Sequence, residues 1–292
     1  MQAKATRASP SFFLFSEMKR RTSSTRKRQK KSQGIIALLT DFGDRDHYVG
    51  TMKGVILSLN PHARIVDITH NVQPQCVDEA AYLLWASYHY FPGGTVFTCV
   101  VDPGVGSKRK IICVETDRYS FVAPENGLLD FIVQQENVRQ AVEVVHADEF
   151  GLKPISTTFH GRDIFAPLAA LISLGKPLSR FGTRHSLKDP PRLFFEPERD
   201  ARTARVLHID RFGNIVTNIP KEYFEAFEVK VGTTTVTRRI HNYSEAPKGL
   251  PCLIVGSSGL IEIAVGNGSA STALRANLET PVVVLGVKGQ SV

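Results

Sequence analysis

Residues 35–70, IIALLTDFGDRDHYVGTMKGVILSLNPHARIVDITH, read as strand, helix and strand in turn. The apolar run Ile35–Thr40 is short and stops at Asp41-Phe42-Gly43, the pattern of a buried strand entering a loop. In the next segment Tyr48, Met52, Val55, Ile56 and Leu59 share one face at helical spacing. Asp46 is the expected N-cap of that helix, and Asn60-Pro61 stops it. Ile65–Ile68 is the second strand.

The pattern continues downstream. Val77 to Phe91 is a helix with Val77, Ala80, Ala81, Leu84 and Tyr88 on its apolar face, broken by Pro92-Gly93-Gly94. Thr95–Val101 is a third strand, and Ile111–Val114 and Ser120–Ala123 are two more. Strands alternating with helices through short loops predict an N-terminal α/β sheet domain, residues 35–185, with helices on its faces. Ligands of such sheets gather at the carboxyl ends of strands, and Asp41 and Asp102 fall at two such ends. Residues 186–203, SLKDPPRLFFEPERDART, with three prolines and many charges, read as a linker. Beyond them come short strands: Arg205–Ile209, Ile215–Ile219, Val229–Thr237, Leu253–Val255 and Leu260–Val265. They predict a smaller β domain, a barrel or a sandwich, over residues 204–292.

The chain has 292 residues and is 42% hydrophobic, enough to bury a real core. Its net charge of +8 resembles a nucleic-acid signal until it is located. Residues 1–33 hold ten Lys and Arg against one acid, so this tail carries +9 and the remainder is left at −1. Residues 1–34 are expected to be a disordered basic tail without catalytic function, touching nucleic acid only weakly. An organellar transit peptide and a true start at Met18 are the other readings. No stretch approaches the length of a transmembrane helix. Cys76, Cys99, Cys113 and Cys252 form no CxxC pair, and all but Cys76 lie in apolar runs. Buried, reduced thiols in a cytoplasmic compartment are expected, or in an organelle if the tail is a transit peptide. No Cys/His cluster has zinc-ligand spacing, and no metal is expected.

Asp102-Pro103-Gly104-Val105-Gly106 follows a buried strand, where glycines let backbone N–H groups approach a ligand. It is neither a Walker motif nor a dinucleotide fingerprint, and taken alone it is a tight turn. Phe159-His160-Gly161-Arg162-Asp163 is a second polar cluster, near the start of a helix. A lone histidine there is more often a capping or surface residue than a catalyst. Asp210-Arg211-Phe212-Gly213-Asn214 reads as a hairpin turn. Gly256-Ser257-Ser258-Gly259 and Gly266-Asn267-Gly268-Ser269 flank Leu260–Val265 and read as turns too.

Their combination and order say more than any one of them. TDFG, YVGTMKG, DITH, DPGVGS, PENGLL, FHGRDIF, DRFGNIVTN and GSSGLIEIA together resemble the S-adenosylmethionine hydroxide adenosyltransferase family, relatives of fluorinase and chlorinase. The resemblance spans about residues 35–290. It implies an α/β domain followed by a β-barrel, in a homotrimer whose substrate lies between one subunit's first domain and its neighbour's second. It also implies hydrolysis of S-adenosyl-L-methionine at C5′ to adenosine and methionine, with that molecule as substrate and no cofactor. Asp102, Arg109 and His160 match the family's catalytic Asp, Arg and His. Asp41 matches the acid that holds the ribose hydroxyls. Asp210 and Asn214 match groups on the methionine portion or the adenine edge, and Ser257, Glu262 and Asn267 align with second-domain ligand contacts.

Departures from the halogenase branch carry information. Fluorinase-like enzymes resemble this chain but have Tyr at the Asp102 position and a halide-binding Ser at the Gly161 position. A carboxylate repels a halide and accepts a hydrogen bond from water, so the resemblance implies water as nucleophile. Arg109 cannot be a base, because guanidinium stays protonated. It is expected to fix Asp102, while His160 takes the released proton or orients the cluster. Two other classes stay open at this stage: a halogenase-type adenosyltransferase, and a non-catalytic protein that binds S-adenosylmethionine or adenosine.

Overall fold

The computed structural model describes residues 34–191, 193–197, 200 and 202–286. The expectations for the basic tail, residues 1–33, lie outside the described residues. In the N-terminal half the strands are β1 (Ile35–Thr40), β2 (Arg64–Thr69), β3 (Val96–Val100), β4 (Ile111–Thr116), β5 (Ser120–Pro124), β6 (Val138–Val144) and β7 (Gly182–Arg184). The helices there are α1 (Tyr48–Leu59), α2 (Val77–Ser87), α3 (Asp130–Gln135), α4 (Ala147–Phe150) and α5 (Ala166–Ser173). The strands form one sheet in the order β2-β1-β3-β5-β4-β6-β7. β2, β1, β3 and β5 run parallel, while β4, β6 and β7 make antiparallel pairs.

Successive side chains of a strand point to opposite faces. Ile36 and Leu38 of β1 pack with Met52 and Ile56 of α1 and with Leu168 and Ala169 of α5. Ala37 and Leu39 pack on the other face with Ala80 and Leu84 of α2 and Phe131 of α3. Both faces of β1 are covered, which explains its unbroken apolar run.

Three local expectations are corrected. Asp46 is not the N-cap: α1 begins after His47 with no side-chain cap, and Tyr48 and Leu59 are exposed while Met52 and Ile56 carry the packing. α2 stops at Ser87 and a 3-10 turn, Tyr88–Tyr90, follows. Ser87 Oγ bonds back to the carbonyls of Leu83 and Leu84, competing with the helix ladder. The single run Val229–Thr237 is a hairpin of two strands, turning at Gly232 with φ +57°. Its β-branched residues hid the turn.

The C-terminal half holds β8 (Thr203–Ala204), β9 (Val206–Ile209), β10 (Ile215–Pro220), β11 (Phe227–Val231), β12 (Thr234–Val236), β13 (Pro251–Val255), β14 (Leu260–Val265), α6 (Ala270–Leu274) and β15 (Val282–Gly286). They make two antiparallel four-stranded sheets, β13-β14-β10-β9 and β12-β11-β15-β8. The sheets share a core in which Ile215 and Ile263 meet Val229, Val231 and Val282.

Between the halves, Phe194 packs on Trp85 and Phe131 with ring centroids at 5.3 and 5.6 Å. Its neighbour Phe195, 1% exposed, joins the C-terminal core beside Tyr223 and Phe227. Leu207, Val216 and Leu260 of the C-terminal sheets extend the core that α2 covers. No helix among the described residues is long and apolar enough to cross a membrane.

Candidate active site

The loop leaving β3 carries Asp102 and folds back through two turn bonds, Val105 N–H to the Asp102 carbonyl and Ser107 N–H to the Gly104 carbonyl, both 3.1 Å. This reversal brings Arg109 onto Asp102. Arg109 Nε donates to both carboxylate oxygens at 2.9 Å, and its Nη2 donates to Oδ2. The two side chains are largely withdrawn from solvent. Gly106 is needed twice over. Its φ is +76°, and a Cβ there would stand 2.3 Å from the Thr157 carbonyl oxygen. That close approach sets the Asp102 turn against the segment that bears His160.

Arg109 Nη2 lies 2.8 Å from His160 Nδ1. Guanidinium has only donors, so Nδ1 is the acceptor and the imidazole carries its proton on Nε2. Burial, and then the Arg109 charge, hold the His160 pKa below the ordinary histidine value. The three side chains form one chain: carboxylate, guanidinium, neutral imidazole. Asp163, 1% exposed, accepts the Ser156 N–H at 2.8 Å and pairs with Arg162, which fixes the loop before His160.

Asp41 follows β1, the neighbour of β3. Its Oδ2 accepts the Gln75 N–H at 2.8 Å. Burial raises its pKa, and the charge of Asp102, which follows the adjacent parallel strand, adds to the effect. Phe159 packs edge to face on Phe42 and Tyr48, with Tyr48–Phe159 centroids at 5.0 Å, and Phe42 and Tyr48 meet at a tilt. Gly161 is enclosed here: a Cβ would meet Phe42, Met52 and Phe159 atoms at 3.2 Å each.

The second-domain residues form a separate group. Asp210 caps its own turn, accepting the N–H groups of Phe212 and Asn214 at 2.9 and 2.8 Å and the Asn214 amide at 2.9 Å. The hairpin-turn reading holds for this backbone, which joins β9 to β10. Glu262 on β14 is buried and accepts the Tyr243 hydroxyl at 2.9 Å. Burial raises its pKa, helped by the charge of Asp210. Ser257 and Asn267 sit exposed in turns, Asn267 with φ +52°. Among the described residues no hydrogen bond or ion pair joins Asp210, Asn214, Ser257, Glu262 or Asn267 to Asp41, Asp102, Arg109 or His160.

Several members of this setting escaped the sequence reading. Tyr82 of α2 faces Ser258, Glu262 and Asp210. Tyr243 lies in no motif. Phe212, 77% exposed at the tip of the Asp210 turn, offers an open aromatic face; its place inside DRFGN was the available signal. Among the described residues no group of three or more His, Cys, Asp or Glu is arranged to hold a metal ion.

The chain matches models of the SAM hydroxide adenosyltransferase N-terminal domain over residues 36–182 and of its C-terminal domain over residues 204–283. It is 36% identical over 256 residues to a protein named (R)-S-adenosyl-L-methionine hydrolase from Thermus thermophilus, covering 86% of this chain and 99% of the relative. A fluorinase from Actinopolyspora mzabensis is 30% identical over 233 residues, covering 69% of this chain and 77% of the relative. The crystal structure of a conserved protein from Thermotoga maritima superposes with a TM-score of 0.77 at 36% identity, covering 86% of this chain and all of that one.

Proposed function

The chain belongs to the SAM hydroxide adenosyltransferase family, and on that footing we propose that it is an S-adenosyl-L-methionine hydrolase. Water attacks C5′ of the adenosyl group, the C5′–S bond breaks, and the products are adenosine, L-methionine and a proton. The relatives' names specify the (R) sulfonium, and the same epimer is the substrate proposed here. The observation that carries this reading is the continuous Asp102–Arg109–His160 chain at the end of β3.

The sulfonium leaves as a neutral thioether and needs little acid assistance. The site must hold water in line with the C5′–S bond, and orientation of that kind contributes about 7 kcal/mol or more at its best. A carboxylate has about four acceptor positions, so Asp102 keeps capacity for a water after Arg109 is bound. Arg109 cannot accept a proton. His160 has its one free lone pair turned to Arg109, so its proposed role is to hold the guanidinium, and the water's proton passes to the Asp102 carboxylate and from there to solvent. The charges of Asp41 and Asp102 attract the sulfonium cation, and they favour water, which can donate to a carboxylate, over a halide, which they repel. Gly161 brings no halide-binding hydroxyl, and a side chain there would have to press back Phe42, Met52 and Phe159 by a few tenths of an ångström. These two features favour hydrolysis over the halogenase reading, and the linked trio favours an enzyme over a passive binder.

Asp41 is proposed to hold the ribose hydroxyls. Asp210, Asn214, Ser257, Glu262 and Asn267 are proposed for the adenine and methionine ends, with Phe212 available for a base. The separation of these two groups within one chain supports a site completed by a neighbouring subunit, as in a homotrimer. We also propose that the division into residues 35–185 and 204–292 holds, with the two C-terminal sheets as the sides of one small barrel. Their shared core and the single residue Arg205 between β8 and β9 support this. Four free cysteines suit a reducing compartment such as the cytoplasm.

Turnover in ¹⁸O-water tests the proposal. Adenosine bearing the label on its 5′ oxygen is expected by mass spectrometry. Unlabelled adenosine, or a halogenated nucleoside as main product in chloride, would overturn it.

A further inference from the structure

The segment Gln73-Pro74-Gln75-Cys76 is a tight turn, closed by Cys76 N–H on the Gln73 carbonyl at 2.9 Å. Pro74 suits its first central position, but Gln75 occupies the second with φ +65°, where glycine or asparagine is usual. A left-handed conformation is unfavourable for such a residue, so something must hold the turn. Two carboxylates do. Asp41 Oδ2 accepts the Gln75 N–H at 2.8 Å, and Glu79 Oε2 accepts the Gln73 N–H at 2.7 Å.

Glu79 is a buried acid in the first turn of α2, where the helix dipole favours negative charge. Its other oxygen, Oε1, lies 2.6 Å from His208 Nδ1 on β9. A carboxylate only accepts, so Nδ1 carries the proton. The His208 ring stacks on Tyr82, centroids 5.8 Å apart. A continuous path therefore runs from β9 of the C-terminal half through Glu79 and the strained turn to the free face of Asp41.

We propose that Glu79 and His208 are positioning residues for Asp41, setting the turn that aims its carboxylate at the ribose diol. The inference rests on the reading of Asp41 as the ribose acid. Neither residue touches substrate. Their loss leaves Asp102, Arg109 and His160 in place and costs affinity for the two hydroxyls alone.

Calorimetry on the full-length protein with adenosine and with 2′,3′-dideoxyadenosine separates the cases. Glu79→Ala is expected to raise the Kd for adenosine on the order of tenfold, the scale of one hydrogen-bonded contact, and to leave the Kd for the dideoxy compound unchanged. KM for S-adenosyl-L-methionine should rise while kcat holds. In an Asp41→Ala background Glu79→Ala should add nothing. Glu79→Gln should restore the preference for the diol, because its amide oxygen still accepts from Gln73 and its N–H donates to His208 Nδ1 once the ring proton moves to Nε2. His208→Ala, which keeps the carboxylate and removes only its anchor, should give the same selective loss in smaller measure, so the inference does not hang on the folding of Glu79→Ala. Equal weakening of both nucleosides, or of neither, would overturn the relay. Asp41→Ala that keeps the wild-type preference for the diol would overturn the ribose assignment itself. Loss of that preference in Asp41→Ala but not in Glu79→Ala or His208→Ala would overturn the relay alone.

Discussion

Asp102 gains its orientation from Arg109 and Arg109 gains part of its own from His160, so three side chains from two loops are mutually fixed. Asp102→Asn keeps the shape of the group but removes its charge and much of its acceptor strength. If the carboxylate acts on water in the transition state, kcat should fall by about 10²–10⁴, the span of a general-base or orienting role. The calorimetric Kd for S-adenosyl-L-methionine should barely move. Near-normal turnover would remove Asp102 from the mechanism. Asp102 and His160 were legible because each sits in a short motif whose order along the chain is distinctive, and Arg109 because it stands seven residues from Asp102 across the DPGVG turn. Glu79 and His208 were not, because they stand 129 positions apart and each alone reads as an ordinary helix acid and an ordinary strand histidine. The same holds for Tyr243, whose partner Glu262 is found only after β14 is folded against it.

At the level of elements, runs that are apolar on both faces were read well, as β1 and β3 show. β6, VRQAVEV, mixes charge with half-buried positions and gave no such signal; its place is fixed by pairing with β4. The approach to α5 is a π-helical turn, Gly161–Phe165, that periodicity does not disclose. The proline-rich segment read as a linker carries the aromatic pair Phe194 and Phe195, and their adjacency was visible while their divergent packing was not. Phe195→Ala empties a fully buried site in the C-terminal core. It should lower the unfolding free energy by about 3–5 kcal/mol in urea titration, with a smaller loss for the half-buried Phe194→Ala. A loss within experimental error for Phe195→Ala would mean that this core collapses around the gap or does not depend on it.

For the whole molecule, charge and site are separable in sequence: the +9 of residues 1–33 lies outside every motif, and the remainder is near neutral at −1. In the proposed site, Asp41 and Ser257 belong to two groups that no hydrogen bond or ion pair joins among the described residues. If neighbouring subunits complete each other, Asp41→Ala and Ser257→Trp proteins, each impaired at limiting substrate, should regain partial turnover after mixing and subunit exchange. Full activity in a demonstrated monomer would refute the shared site. The pair Phe194–Phe195 has one more consequence. Consecutive residues are sunk in the cores of opposite halves, so the peptide between them works as a rivet. Opening the halves about this joint would pull Phe194 off Trp85 and Phe131 or draw Phe195 out of its core, so that motion gives up buried apolar surface which a change confined to the strand-end loops would keep.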